Sequence, residues 1–266
     1  MKYLLKNAKL LSGETACVVT DGAYITYVGA QPSEDSYDRV IDCTDRLLMP
    51  GLYNCHTHAA MTLFRGYGED MPLDRWLHEK IFPAEDLLTS RAVYNASMLA
   101  IAEMIRGGTV SFSDMYFFFD GMMPAIREGA VAESGIKANI SRSITSFDPD
   151  IDMSRDRRFD EAKALYSEWN NAEDGRIKID ISLHAEYTNV PRACIEVGKY
   201  AAEHGANLHI HLSETESEHE QCKERHGGLT PAAFFEQCGC FEAPVTAAHC
   251  VWVEDGDIEL LARHGA

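Results

Sequence analysis

The stretch PGLYNCHTHAAMTLFRGYGEDMPLDRWLHEK, Pro50 to Lys80, decides how this chain is read. An apolar run ends in His56 and His58, one residue apart, and gives way to a glycine-punctuated loop. Side chains two apart on a strand point to the same face, so the two imidazoles converge at the strand's C-terminal end. In a βα barrel that end is where active sites are built. A lone histidine there is more often structural. A pair at this spacing is a metal signal, because neutral imidazoles suit zinc and related ions.

From Leu47 onward, apolar β-rich runs alternate with helix-length segments, a pattern that predicts βα units and a parallel sheet. Strands are expected in LLMPGLYNCHTH, GGTVSFSDMY, IKANISRSI, RIKIDISLHAEYT, ANLHIHLSET and APVTAAHCVWV. Between them, RAVYNASMLAIAEMIRGG reads as a helix stopped by Gly107, and RACIEVGKYAAEHG as one stopped by Gly205. That makes six βα starts, against the eight of a closed TIM-type barrel, and LARHGA is expected to lead by a glycine cap into a seventh strand. Before Leu47, the runs YLLKNAKLL, ACVVT, AYITYVG and RVIDC read as short strands, with Asp21-Gly22 as a hairpin signal. The expected fold is α/β, with a small β unit over residues 1–48 and a barrel portion over 49–266.

Composition narrows the function classes. With 45% hydrophobic and 25% charged residues the chain reads as an ordinary soluble globular protein. No apolar stretch approaches the roughly 18 residues of a membrane span, and Lys6, Asn7 and Lys9 interrupt anything resembling a secretory signal. The expected location is cytoplasmic. A formal charge of −18 repels nucleic-acid phosphates and favours a small-molecule substrate. Eight cysteines without a CxxC pair suit reduced thiols better than a disulfide framework.

Other strand ends supply partners for the first pair. In NLHIHLSET, His211 lies nearer the strand end than His209 and is expected at the barrel mouth, with His209 packing or hydrogen-bonding deeper. Glu214, three residues on, stands where strand turns into loop and reads as a general acid/base. His249 closes VTAAHC and is expected at the site; His184 in ISLHAEYT has the same placement without a supporting neighbour. Asp114 in SFSDMY reads as a cap for the turn that follows it rather than as a ligand.

These motifs, together with MPGLYNCHTHAAMTLFRGYGEDMPLDRWL, FPAEDLLT, HIHLSET and AAHC, resemble the amidohydrolase superfamily, and within it the adenosine-type deaminases. The resemblance implies a (β/α)8 barrel of the metal-dependent hydrolase type, flanked by a β-sandwich to which residues 1–48 would contribute the N-terminal part. It implies one divalent metal, Zn2+ first, with Fe2+ or Mn2+ as alternatives. By the same resemblance His56, His58 and His211 are metal ligands, Glu214 is the proton shuttle, and His249 is a hydrogen-bonding partner of the attacking water. Glu85 is similar to the residue that holds ribose hydroxyls, and Arg142 and His184 match positions facing the nucleoside. Trp76 falls in the loop that covers the substrate, where a packing role fits it equally well.

The implied reaction is hydrolytic loss of ammonia from C6 of an adenosine-type nucleoside such as 5-methylthioadenosine or S-adenosylhomocysteine. Hydrolysis of another heterocycle, as by a guanine-type deaminase or a triazine chlorohydrolase, and a catalytically silent fragment are the competing readings. The family also has a metal-ligating aspartate at the end of its eighth strand, and no position of this sequence matches it. An open six-stranded sheet leaves unpaired edges. The expectation is a divided or shortened gene product, a complementing chain or homo-oligomer, or a sequence recorded short of its end; such a chain alone is expected to bind metal and deaminate poorly.

Overall fold

The computed structural model describes residues 1–32, 36–117 and 125–266. The chain divides into two compact units, Met1–Gly51 and Leu52–Ala266. In the first, β1 (Lys2–Leu10), β2 (Thr15–Asp21), β3 (Tyr24–Gly29), β4 (Arg39–Asp42) and β5 (Leu47–Leu48) form one mixed sheet. Its order is β3-β2-β1-β4, with β5 also pairing β1. Gly22, at φ 56, takes the turn between β2 and β3, where the Asp21-Gly22 signal placed a hairpin. Leu4, Cys17 and Val19 form its small apolar cluster.

The second unit carries β6 (Leu52–Thr57), β7 (Thr109–Tyr116), β8 (Lys137–Ile144), β9 (Ile177–Leu183), β10 (Leu208–Leu212) and β11 (Val245–His249). They pair in chain order, and every pairing is parallel. Helices make the crossovers, so the class is α/β with six βα units of a TIM-type barrel. The sheet is strongly curled: the rings of His56 on β6 and His249 on β11, the first and last strands, are 5.0 Å apart.

Strand alternation sorts the side chains into two layers. On β8 and β9 the residues Ala138, Ile140, Ile177 and Ile179 join Ile101 and Leu165 of the covering helices in one buried cluster. The intervening positions, among them Ser141, Ser143, Asp180 and Ser182, are buried and polar, and His184 continues their parity past the end of β9. The apolar layer therefore holds the helices on, while the polar layer leads to the site.

Helix ends follow local chemistry. Thr89 Oγ1 accepts the Ala92 N–H at the start of Ser90–Arg106. This helix does not stop on one left-handed glycine: Gly107 is still right-handed at φ −80, and Gly108 makes the turn at φ 87. Pro191 opens Pro191–His204 and Gly205, at φ 61, closes it. Among the described residues no helix is long and apolar enough to cross a membrane.

The largest core cluster includes Phe235, fully buried with Phe159, Val197 and Leu260 in the same group. Phe235→Ala is expected to cost about 3–5 kcal/mol of unfolding free energy through lost burial and a cavity. Urea unfolding followed by circular dichroism measures it.

Candidate active site

Three parallel strands deliver four histidines to one point. His56 lies near the end of β6 and His58 one residue beyond it; His211 is the penultimate residue of β10; His249 ends β11. One ring nitrogen from each of His56, His58 and His211 lies within 4.8 Å of the others. The ring centroids of His56 and His211 are 4.8 Å apart, and those of His211 and His249 are 5.3 Å apart.

The Nδ1 atoms of all three rings are engaged. His211 Nδ1 is 2.7 Å from the His184 carbonyl oxygen, and His58 Nδ1 meets the Met115 carbonyl oxygen. A carbonyl only accepts, so these Nδ1 atoms carry the protons and each Nε2 keeps its lone pair. His56 Nδ1 is 3.0 Å from His209 Nε2, and His209 Nδ1 is 3.3 Å from Ser113 Oγ. His209 thus sits one layer down, fully buried, and orients His56.

Across the site the His56 and His211 Nε2 atoms face each other at 3.1 Å. Ring nitrogens converging this way, each anchored through its other nitrogen, make a donor set that fits a zinc-like ion with outer partners already in place. Burial, reinforced by neighbouring imidazoles, pulls the His56 pKa down to about 3 and that of His211 well below its usual value. These rings are neutral at pH 7, the form that coordinates metal.

Glu214 enters from the loop after β10. Its Oε2 lies 3.5 Å from His249 Nε2, and its side chain lines the same cavity of about 280 Å³ as the three clustered histidines. Glu218 fixes its backbone: that buried carboxylate accepts the N–H groups of Ser213 at 3.2 Å and of Glu214 at 2.8 Å. Thr215 Oγ1 in turn accepts the Glu218 N–H, capping the helix Glu216–Arg225. The turn is tight enough to put Ser213 at φ 47, and after β11 His249 and Cys250 stand at φ 73 and 51. Non-glycine residues in this region cluster where a fold over-determines them.

Glu85 ends the short helix Phe82–Glu85, is buried, and accepts the Tyr116 hydroxyl at 2.7 Å. Burial pushes its carboxyl up to about 7. It lines both the histidine cavity and a larger one of about 750 Å³, as do His184, Phe117 and Tyr187. His184 is buried, with Nδ1 3.1 Å from Thr188 Oγ1. Trp76 lines the histidine cavity, and its Nε1 donates to the Tyr67 carbonyl at 3.0 Å, tying down the loop.

Arg142 does not join this group. It shares the parity of Ala138, Ile140 and Ile144, the helix-facing side of β8, and its Nε donates to Glu161 Oε2 at 3.0 Å on the helix Arg157–Trp169. The expectation that it faces a nucleoside is therefore corrected: strand alternation turns it outward. Asp114 caps a different turn from the one expected, since its Oδ1 accepts the Ala59 N–H at 2.9 Å and so holds the chain just after His58.

The sequence reading missed Glu218 and Tyr116. Glu218 carried a local signal, the Thr-x-x-Glu pattern of a capping box in Thr215–Glu218, although its carboxylate reaches past Thr215 to the two residues before it. Tyr116 carried none, because its partner is 31 residues away.

The amidohydrolase family matches residues 47–266. The chain is 46% identical over 241 residues to a 5-methylthioadenosine/S-adenosylhomocysteine deaminase of Dictyoglomus thermophilum, covering 91% of this chain and 54% of that protein. It is 41% identical over 269 residues to a 5'-deoxyadenosine deaminase of Methanosarcina mazei, covering 98% and 60%. Among solved structures, an adenosine deaminase from Xanthomonas campestris with bound zinc superposes with a TM-score of 0.87 at 27% identity, over 99% of this chain and 61% of that one. The chain thus spans little more than half the length of these relatives.

Proposed function

Because the chain belongs to the amidohydrolase family, we propose that its histidine site serves the hydrolytic deamination of an adenosine-type nucleoside. The observation that carries this is the three-histidine donor set with Glu214 and Glu85 on the same cavity wall. The names of the similar proteins support the choice of an adenosine-type substrate. Residues 49–266 are read as the barrel portion and 1–48 as part of a β-sandwich.

In this reading His56, His58 and His211 hold one divalent ion, zinc in the first instance. Such an ion supplies Lewis acidity that makes water nucleophilic near neutral pH. Glu214 takes a proton from the attacking water and delivers it to the adenine ring nitrogen beside C6. His249 donates a hydrogen bond to the attacking oxygen. Addition at C6 and cleavage of the C6–N bond yield an inosine-type nucleoside and ammonia. Glu85 accepts from the ribose hydroxyls, held in place by Tyr116, and His184 packs against the nucleoside.

Ammonia release from 5'-deoxyadenosine or 5-methylthioadenosine by the zinc-supplemented protein tests the reading; no release from either, at full metal occupancy, overturns it. Glu85 separates nucleoside from free-base chemistry. Glu85→Gln is expected to raise KM for the nucleoside roughly 10-fold or more, the value of a hydrogen bond to a charged group, with no comparable change for free adenine. Steady-state kinetics on the two substrates checks it.

A further inference from the structure

The turns that carry Glu214 and His249 meet on Ser213, which follows β10 directly, stands at φ 47 and is fully buried. Its carbonyl accepts the N–H groups of Val251 at 3.1 Å and Trp252 at 3.0 Å, just past His249, so one peptide ties the exit of β10 to that of β11. Its hydroxyl meets His219 Nδ1 at 3.2 Å, on the helix Glu216–Arg225. His219 is itself buried, and its Nε2 lies 3.1 Å from Oε1 of Glu254, the N-cap of the helix Asp255–His264. Lys223 Nζ bonds the same oxygen at 2.5 Å and, with His219 beside it, holds the Glu254 carboxyl below its usual pKa. A carboxylate only accepts, so Nε2 carries the ring proton and Nδ1 of the neutral ring accepts from the Ser213 hydroxyl.

A serine, a histidine and a carboxylate in this order would suit an activated nucleophile. Ser213, however, lines neither cavity, so no substrate reaches its oxygen and the chain of bonds holds rather than reacts. Its two ends differ in strength. Glu254 is exposed and water screens its bond, whereas the Ser213 hydroxyl is buried, where a lost partner costs most. We propose that His219 is a positioning residue for Glu214 and His249: by holding the Ser213 hydroxyl it keeps the peptide shared by both turns in place. The catalytic consequence rests on the adenosine reading above; the hold on the rim does not.

Two readouts on the full chain with zinc added test it. His219→Leu fills the buried space without making either bond. Amide hydrogen exchange in the Ser213–Thr215 and His249–Trp252 peptides is expected to speed up about tenfold in this variant, the value of one hydrogen bond lost from a buried group. The kcat for 5-methylthioadenosine is expected to fall about tenfold, with KM and bound zinc within about twofold of the parent. His219→Asn, whose side-chain carbonyl can take the place of Nδ1, is expected to bring exchange and kcat back to within about threefold. Should His219→Leu not fold, Ser213→Ala removes the same bond from its other end and is expected to show the same two changes. Unchanged exchange in a folded His219→Leu or Ser213→Ala protein overturns the proposal, as does a loss confined to KM or to zinc, or equal impairment of the Leu and Asn variants. If the parent protein releases no ammonia, the adenosine reading falls and the exchange rates alone decide the hold.

Discussion

Replacing Glu214 by glutamine is expected to lower turnover by roughly 10²–10⁴-fold, the range for removing a positioned acid/base, while bound zinc stays unchanged. The argument is geometric. Glu214 is not among the clustered nitrogens, yet it lines their cavity and stands 3.5 Å from His249. Glutamine keeps the shape and the backbone hydrogen bonds to Glu218 and loses only the capacity to carry a proton. Zinc content by atomic absorption, beside the rate of ammonia release, reads both halves. Full activity in Glu214→Gln would sink the assigned proton path whatever happened to the metal.

His211→Ala should act the other way, emptying the site. Its Nδ1 is held by the His184 carbonyl and its Nε2 faces His56, so removing the ring deletes one donor and one wall of the cluster. Losing only an outer partner weakens metal affinity about 10–100-fold, so losing a donor should exceed roughly 100-fold. Competition with a chromogenic chelator measures this, and a thermal melt separates metal loss from unfolding, since His211 is buried. Unchanged zinc affinity in a folded His211→Ala protein would remove it from the ligand set.

These outcomes were legible in the sequence to different depths. The six strands and the histidines at their ends could be read because both rest on periodicity two and on parallel strands ending at one rim. The same periodicity, applied strictly, would have turned Arg142 outward with Ile140 and Ile144; the resemblance had suggested otherwise. What could not be read were pairings set by curvature and register. His56 meets His209 across 153 residues, Tyr116 meets Glu85 across 31, and Asp114 holds Ala59 on the neighbouring strand's exit. No local propensity encodes such contacts, because they exist only once β6 through β11 have curled into one sheet.

The left-handed torsions at Ser213, His249 and Cys250 make aiming and folding a single event. Each such torsion costs of the order of 1–3 kcal/mol when nothing holds it. Two of the holders are visible: Glu218 grips the first turn, and the N–H of Cys250 donates to the Leu212 carbonyl at 2.9 Å beside the second. A loosened rim would let these residues relax toward ordinary extended backbone while the strands below kept their ladder. Glu214 and His249 would then point elsewhere in a protein that still looked folded, so the rim is where intact structure and working structure part company.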